Sequence, residues 1–365
     1  MTSRRRRSSL VASLALAASL LLAPGVAVAA PAAPTVTVTR TTHGYHVSWS
    51  AVSGATGYRL YYDRLTSLHN NGGGGESFGS AGKHLSRTVG AGTRSADLGD
   101  TVFALEQQSW YGENIYVVAY NASGSSPYGR GYAPCAPGYF LAARGSGQNP
   151  SSTSDNGFAY GLGSRAYRVY EDARLRLHLS RAQLQAEAVL YPAIPVSAAI
   201  YSGGSIYNSS VQAGANATYG LVARIASHCS RSRILMFGYS QGADVVGDAF
   251  ALTSYRSRIT QAQLFADADR YRGDTAIQYR PQNAASHGIH GTRRAFPGVT
   301  DRLQITSWCA EDDDVCSVDG FPSTFHGPKY DCYEKWAAES VAARARNTGW
   351  ISSADMTHPT CTLQP

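Results

Sequence analysis

The stretch "RILMFGYSQGADVV", Arg233 to Val246, places a serine between two glycines at the end of an apolar run. Ile234 to Phe237 read as a short buried strand. The following "GADVVGDAFALTSYR" spaces Ala243, Val246 and Ala249 to Ala251 along one face of a helix. A strand that turns at once into a helix projects the residue at the tip outward, so Ser240 becomes a candidate nucleophile. Gly238 and Gly242 let strand and helix approach closely, and the helix N-terminus favours a developing oxyanion. A glycine-rich strand end with no chemistry is the competing reading. The chain holds a second G-x-S-x-G, Gly75 to Gly79, but no apolar strand precedes it and no helical pattern follows. There Ser77 is expected in a flexible, glycine-rich turn.

Outward from Ser240, "YFLAAR", "AEAVLYPA", "AQLFAD" and "RLQITSWC" are apolar runs of strand length, separated by helical stretches such as "SSVQAGANATYGLVARIASHC" and "KWAAESVAARARN". That alternation predicts an α/β fold whose central parallel sheet is covered on both faces, with chemistry beyond the carboxyl ends of its strands. Cys135 lies 11 residues before Ser146, and Cys229 the same 11 before Ser240. If the two intervening strands are parallel neighbours, a Cys135–Cys229 bridge at one end brings Ser146 and Ser240 together at the other. Further on, "SWCAEDDDVCSVDGFPSTFHGPKY" sets Glu311 and three aspartates between Cys309 and Cys316, with His326 ten residues beyond. A solvated acidic loop and a calcium-binding loop are alternatives to the functional reading, in which one carboxylate orients the histidine. Serine, aspartate, histidine is the chain order of α/β-hydrolases.

From Cys135 to about Tyr330 the chain resembles the cutinase family of secreted serine esterases. The family's "GYSQGA" stands unaltered at Gly238 to Ala243, which implies Ser240 as nucleophile. Its cysteine-spaced aspartate falls on Asp313, between Cys309 and Cys316, and its histidine falls on His326. The resemblance implies an oxyanion hole at Ser146, after "RG", and at Gln241. Three departures are visible: the family's "FGDP"-like strand end reads "FADADR", the histidine segment "FHGPKY" lacks the family's common apolar run before it, and the tail adds Cys332 and Cys361, a third bridge. Cutin-like polyesters or short acyl esters are the expected substrates, insoluble polymers among them, with acetylated polysaccharide the alternative.

Ahead of this region lies a different texture. "TVTVTR", "YHVSWS", "YRLYYDR" and "NIYVVAYN" read as strands separated by turn residues, in a cysteine-free all-β region. Its two ends resemble a fibronectin type III module, with Trp49 at the core tryptophan position of an early strand. A non-catalytic polymer-binding or adhesion protein built on this module is the reading from another functional class. The first residues, with Arg4 to Arg7, an apolar run and Ala27-Val28-Ala29, read as a secretory signal, through either the general or the twin-arginine route. The expected organisation is a signal peptide at 1–29, a fibronectin type III-like domain at 30–128, a linker at 129–134 and a cutinase-like catalytic domain at 135–365.

Removing Arg4 to Arg7, with no acidic residue lost beside them, lowers the formal charge from +7 to +3. With no basic stripe interleaved with aromatics, a nucleic-acid partner is not expected. Neither is a membrane anchor, and the mature chain is expected to be an extracellular monomer. An even six cysteines in such a chain predict three disulfides. No cofactor or metal is expected: no Cys-x-x-Cys occurs, and His287 and His290 have no third ligand visible in the sequence.

Overall fold

The computed structural model describes residues 29–359 except 42–43, 66–67, 71–75, 79–80, 100–114, 132–133, 149–160, 202, 272–277, 281–286, 292–295, 297–298, 311–312 and 319–329. Residues 1–28, on which the expected signal peptide falls, together with His326 and Cys361, lie outside the described residues.

In the N-terminal region β1 (Val36–Thr41), β2 (Gly44–Trp49) and β7 (Ser95–Gly99) form one antiparallel sheet. A second runs β10 (Gly129–Gly131), β8 (Ile115–Asn121), β3 (Gly57–Leu65), β6 (Ala81–Gly90), with β9 (Gly124–Ser125) also paired to β8. Strand alternation explains the packing: Tyr45, Val47 and Trp49 are buried while His46 and Ser48 between them are half-buried. Trp49 packs against Tyr58 with ring centroids 5.6 Å apart, in one cluster with Leu60, Val117 and Ala119.

Two expectations change here. Residues 129–131, expected as linker, are strand β10, which pairs antiparallel with β8 and so extends this region beyond residue 128. Ser77 lies in β5 (Glu76–Phe78), antiparallel to β4 (Leu68–Asn70), and not in a flexible turn. The flanks of the glycine-rich tract pair with one another, so backbone hydrogen bonding supplies the order that the side chains do not signal. Among the described residues the next element after β5 is strand β6 (Ala81–Gly90).

The C-terminal region is a six-stranded parallel sheet among the described residues, in the order β12-β11-β13-β14-β16-β15. Its strands are β11 (Gly138–Ala143), β12 (Leu184–Ala188), β13 (Arg233–Tyr239), β14 (Ile259–Phe265), β15 (Gln278–Arg280) and β16 (Ile305–Trp308). Helix α1 (Ser164–Arg176) links β11 to β12, and α2 (Val196–Tyr201) and α3 (Ser205–His228) lead to β13. Then α4 (Gln241–Leu252) links β13 to β14, and α5 (Asp331–Asn347) follows β16. Phe140, Leu235, Phe237 and Phe265 face one core, shared with α1 and α5. Tyr139, Leu141, Ile234, Met236 and Leu264 face the other, shared with α3 and α4. Burial on both faces is why these strands read as continuous apolar runs.

Candidate active site

The register of β11 against β13, Gly138 with Arg233 through Ala143 with Gly238, makes the two strands parallel neighbours. Cys135 and Cys229 are joined by a disulfide before their first residues, with Cα atoms 5.5 Å apart. The same spacing carried forward puts the turn at Ser146 and the turn at Ser240 beyond the same end of the sheet.

Ser240 sits at φ 54°, ψ −125°, between the end of β13 and the start of α4. A positive φ in a residue with a Cβ costs roughly 1–3 kcal/mol and persists only where the surroundings enforce it. They do so through the backbone. The Ser240 N–H donates to the Phe265 carbonyl at 2.8 Å, and the Ser240 carbonyl accepts from the Ala243 N–H at 2.7 Å. A Cβ on Gly238 would strike the Gly242 carbonyl, and one on Gly242 the Ala143 carbonyl, so both glycines are required for close approach. Gln241 begins α4, where backbone N–H groups lack intrahelical acceptors. Its buried side chain accepts a hydrogen bond from the Ser210 hydroxyl of α3 at 3.3 Å.

Ser146 is half-buried in the turn after β11. The Gly145 N–H donates to Gln148 Oε1 at 2.7 Å, and the Gly147 N–H to the Ala193 carbonyl at 2.7 Å. Arg144 fixes the turn from beneath, donating to the Gln148 carbonyl at 2.9 Å and to the Tyr191 carbonyl at 2.8 Å, while the Tyr191 hydroxyl donates to the Arg144 carbonyl. Burial lowers the Arg144 pKa to about 10, which leaves the guanidinium charged at neutral pH. The motif reading took "RG" as a marker for Ser146 and missed this support. An arginine only 1% exposed cannot be distinguished by sequence from a solvated one.

Asp313 is completely buried in the loop after β16, which the Cys309–Cys316 disulfide closes. Its Oδ1 accepts from the Val315 N–H at 2.9 Å, and its Oδ2 from the Tyr330 hydroxyl at 2.6 Å. The neighbouring Asp314 is half-buried, whereas Glu311 and Asp312 lie outside the described residues. Burial first, then the charge of Asp313, raises the Tyr330 pKa well above its ordinary value, so the phenol remains a neutral donor. Sequence reasoning missed Tyr330, which is four residues past His326 and has no motif of its own.

Aromatic packing connects the two loops. Tyr330 lies edge-on to Tyr239, the residue before Ser240, with centroids 6.1 Å apart, and 5.7 Å from Phe265, which accepts the Ser240 N–H. The Arg165 guanidinium lies 5.0 Å and 5.3 Å from the Tyr239 and Tyr330 ring centres and pairs with Glu334 at 2.6 Å. Cys332 is also disulfide-bonded, which leaves no free cysteine among the described residues.

A parallel sheet covered on both faces, with a serine at a strained strand-to-helix elbow, defines an α/β-hydrolase fold. The profile of the cutinase family matches residues 134–344, and the chain belongs to that family. Among curated proteins it is similar to acetylxylan esterase 2 of Talaromyces purpureogenus, 27% identical over 157 residues, which are 39% of this chain and 65% of that protein. Among solved structures it is similar to the catalytic core domain of acetyl xylan esterase from Trichoderma reesei, with 22% identity, a TM-score of 0.43, and 57% of this chain and 99% of that chain covered. A cutinase-like protein from Cryptococcus sp. is similar at 16% identity and a TM-score of 0.41, covering 60% of this chain and 96% of that one.

Proposed function

We propose that this chain is a secreted carboxylic ester hydrolase that works through an acyl-enzyme on Ser240. The observation that carries this reading is the Ser240 elbow, at φ 54° between β13 and α4, inside the segment matched by the cutinase family. His326 removes the hydroxyl proton as Ser240 attacks the ester carbonyl, and returns it to the leaving alcohol. Asp313 holds the imidazole in the required tautomer, and water then hydrolyses the acyl-enzyme by the same route. The backbone N–H groups of Gln241 and Ser146, with the Ser146 hydroxyl, stabilise the tetrahedral oxyanion. Two described disulfides and the absence of a membrane-spanning helix among the described residues are compatible with an extracellular setting.

Cutin-like or short acyl esters are the first substrate class. The similarity to a protein named acetylxylan esterase 2 favours acetylated polysaccharide as the second. The N-terminal strands, arranged as two antiparallel sheets around Trp49, support a fibronectin type III-like module, for which we propose a spacer or polymer-presenting role. Hydrolysis of p-nitrophenyl butyrate against acetate, followed by acetate release from acetylated xylan, separates the substrate classes, with Ser240→Ala as control. Faster turnover of butyrate without acetate release supports the first class. The reverse pattern supports the second, and no hydrolysis of either, with a folded chain, contradicts the esterase reading.

A further inference from the structure

Behind the Ser240 elbow, three side chains that the hydrolytic scheme does not use meet around one cavity. Asp244 lies in the first turn of α4, Asp269 in the loop after β14, and His290 in the segment that follows. One ligand atom from each lies within 4.8 Å of the others. His290 Nδ1 is 3.1 Å from Asp269 Oδ1 and 3.8 Å from Asp244 Oδ2. Donors bound at 2.0–2.2 Å in a tetrahedron stand about 3.3–3.6 Å apart, so these separations bracket what one small cation requires.

The surroundings resemble the outer shell of a built site. Asp244 is only 1% exposed, and the Tyr207 hydroxyl of α3 donates to the carboxylate oxygen that faces His290. The Tyr207 ring also stands edge-on to the imidazole at 5.2 Å, restricting its rotation. The backbone N–H of His290 donates to the Ala268 carbonyl at 2.9 Å, fixing this stretch of main chain beside Asp269. A cavity of about 550 Å³, lined also by Asn208, Gln212 and Asp248, leaves space for solvent ligands to complete a coordination shell. In sequence His290 had no third ligand. The fold supplies two carboxylates, 46 and 21 residues upstream.

We infer that Asp244, Asp269 and His290 form a binding site for a divalent cation of the zinc type. Two carboxylates with one imidazole suit such an ion better than calcium, which prefers an all-oxygen shell. Its position gives it a structural task. The Ile289 N–H donates to the Val315 carbonyl at 3.0 Å and the Val318 N–H to the His287 carbonyl at 2.9 Å, so the segment bearing His290 is laced to the Asp313 loop. A bound cation would therefore tie the helix behind Ser240 to the loop carrying Asp313. The inference does not depend on the esterase reading.

The test is metal content and affinity of the full-length chain. Protein stripped with EDTA and dialysed against Zn²⁺ or Ca²⁺ is assayed by inductively coupled plasma mass spectrometry and by calorimetry. The wild type should bind one equivalent of Zn²⁺ in preference to Ca²⁺ and melt at higher temperature with it. Asp269→Asn and His290→Ala change partly exposed side chains, and each should weaken Zn²⁺ binding by at least about tenfold while circular dichroism shows an unchanged fold. Absence of stoichiometric Zn²⁺ from the wild type, or equal binding by the variants, would overturn the site. Preference for Ca²⁺ would overturn its assignment to the zinc class.

Discussion

Tyr330 illustrates how the setting of Asp313, the carboxylate proposed to orient His326, depends on a residue with no motif of its own. Its hydroxyl donates to Asp313 Oδ2 at 2.6 Å and accepts from the Ala310 N–H at 3.2 Å, both inside a wholly buried site. A hydrogen bond to a charged group contributes about 1.5–3 kcal/mol. If Asp313 orients His326, Tyr330→Phe should lower kcat about 10- to 100-fold with little change in KM. Steady-state kinetics beside thermal melts checks this, because a purely structural tyrosine would lower the melting temperature and leave kcat in place. The Ser240 tip, the cysteine-spaced Asp313 and Ser146 were all legible as motifs. Tyr330 and Arg144 were not, since their roles depend on contacts across long stretches of chain.

At the scale of elements, the β11–β13 pair explains why two equal spacings in the sequence mattered. Parallel strands in register convert equal offsets from a shared bridge into proximity at the far end. The Cys135–Cys229 bridge spans a sequence separation of 94, for which the chain-entropy model gives about 4.7 kcal/mol. The double variant Cys135→Ser, Cys229→Ser should therefore unfold at lower denaturant, with a change of this order in the extrapolated free energy. A stability within about 1 kcal/mol of wild type would show that the bridge contributes little beyond register. The long parallel-sheet strands were readable because burial on both faces makes them uniformly apolar. Strands β5, β10 and β15 were not: each has three residue pairings, and neighbouring strands rather than side-chain pattern create them.

Across the whole molecule, the pH dependence of stability should carry the mark of Glu187, which is fully buried on strand β12. Burial, opposed only in part by the charge of Arg224 and a 3.1 Å hydrogen bond from Gln185, raises its pKa to about 8. The folded chain thus holds a proton there that the unfolded chain releases near pH 4.5. This contribution to stability is complete below about pH 4.5, declines as pH rises and is gone above about 8. Chemical denaturation should show wild type losing stability from pH 5 to 8, and Glu187→Gln should flatten that slope. An unchanged slope would place the titration elsewhere. The two-region organisation was evident from the cysteine-free, turn-rich N-terminal texture, whereas its C-terminal edge was not, because β10 contains two glycines and an arginine. The central claim, that Ser240 is an activated nucleophile, is tested most directly by fluorophosphonate labelling followed by peptide mass spectrometry. A single adduct on Ser240, lost in Ser240→Ala and in His326→Ala while both remain folded, is the predicted result; equal labelling of the His326 variant, or no adduct on the wild-type serine, would contradict it.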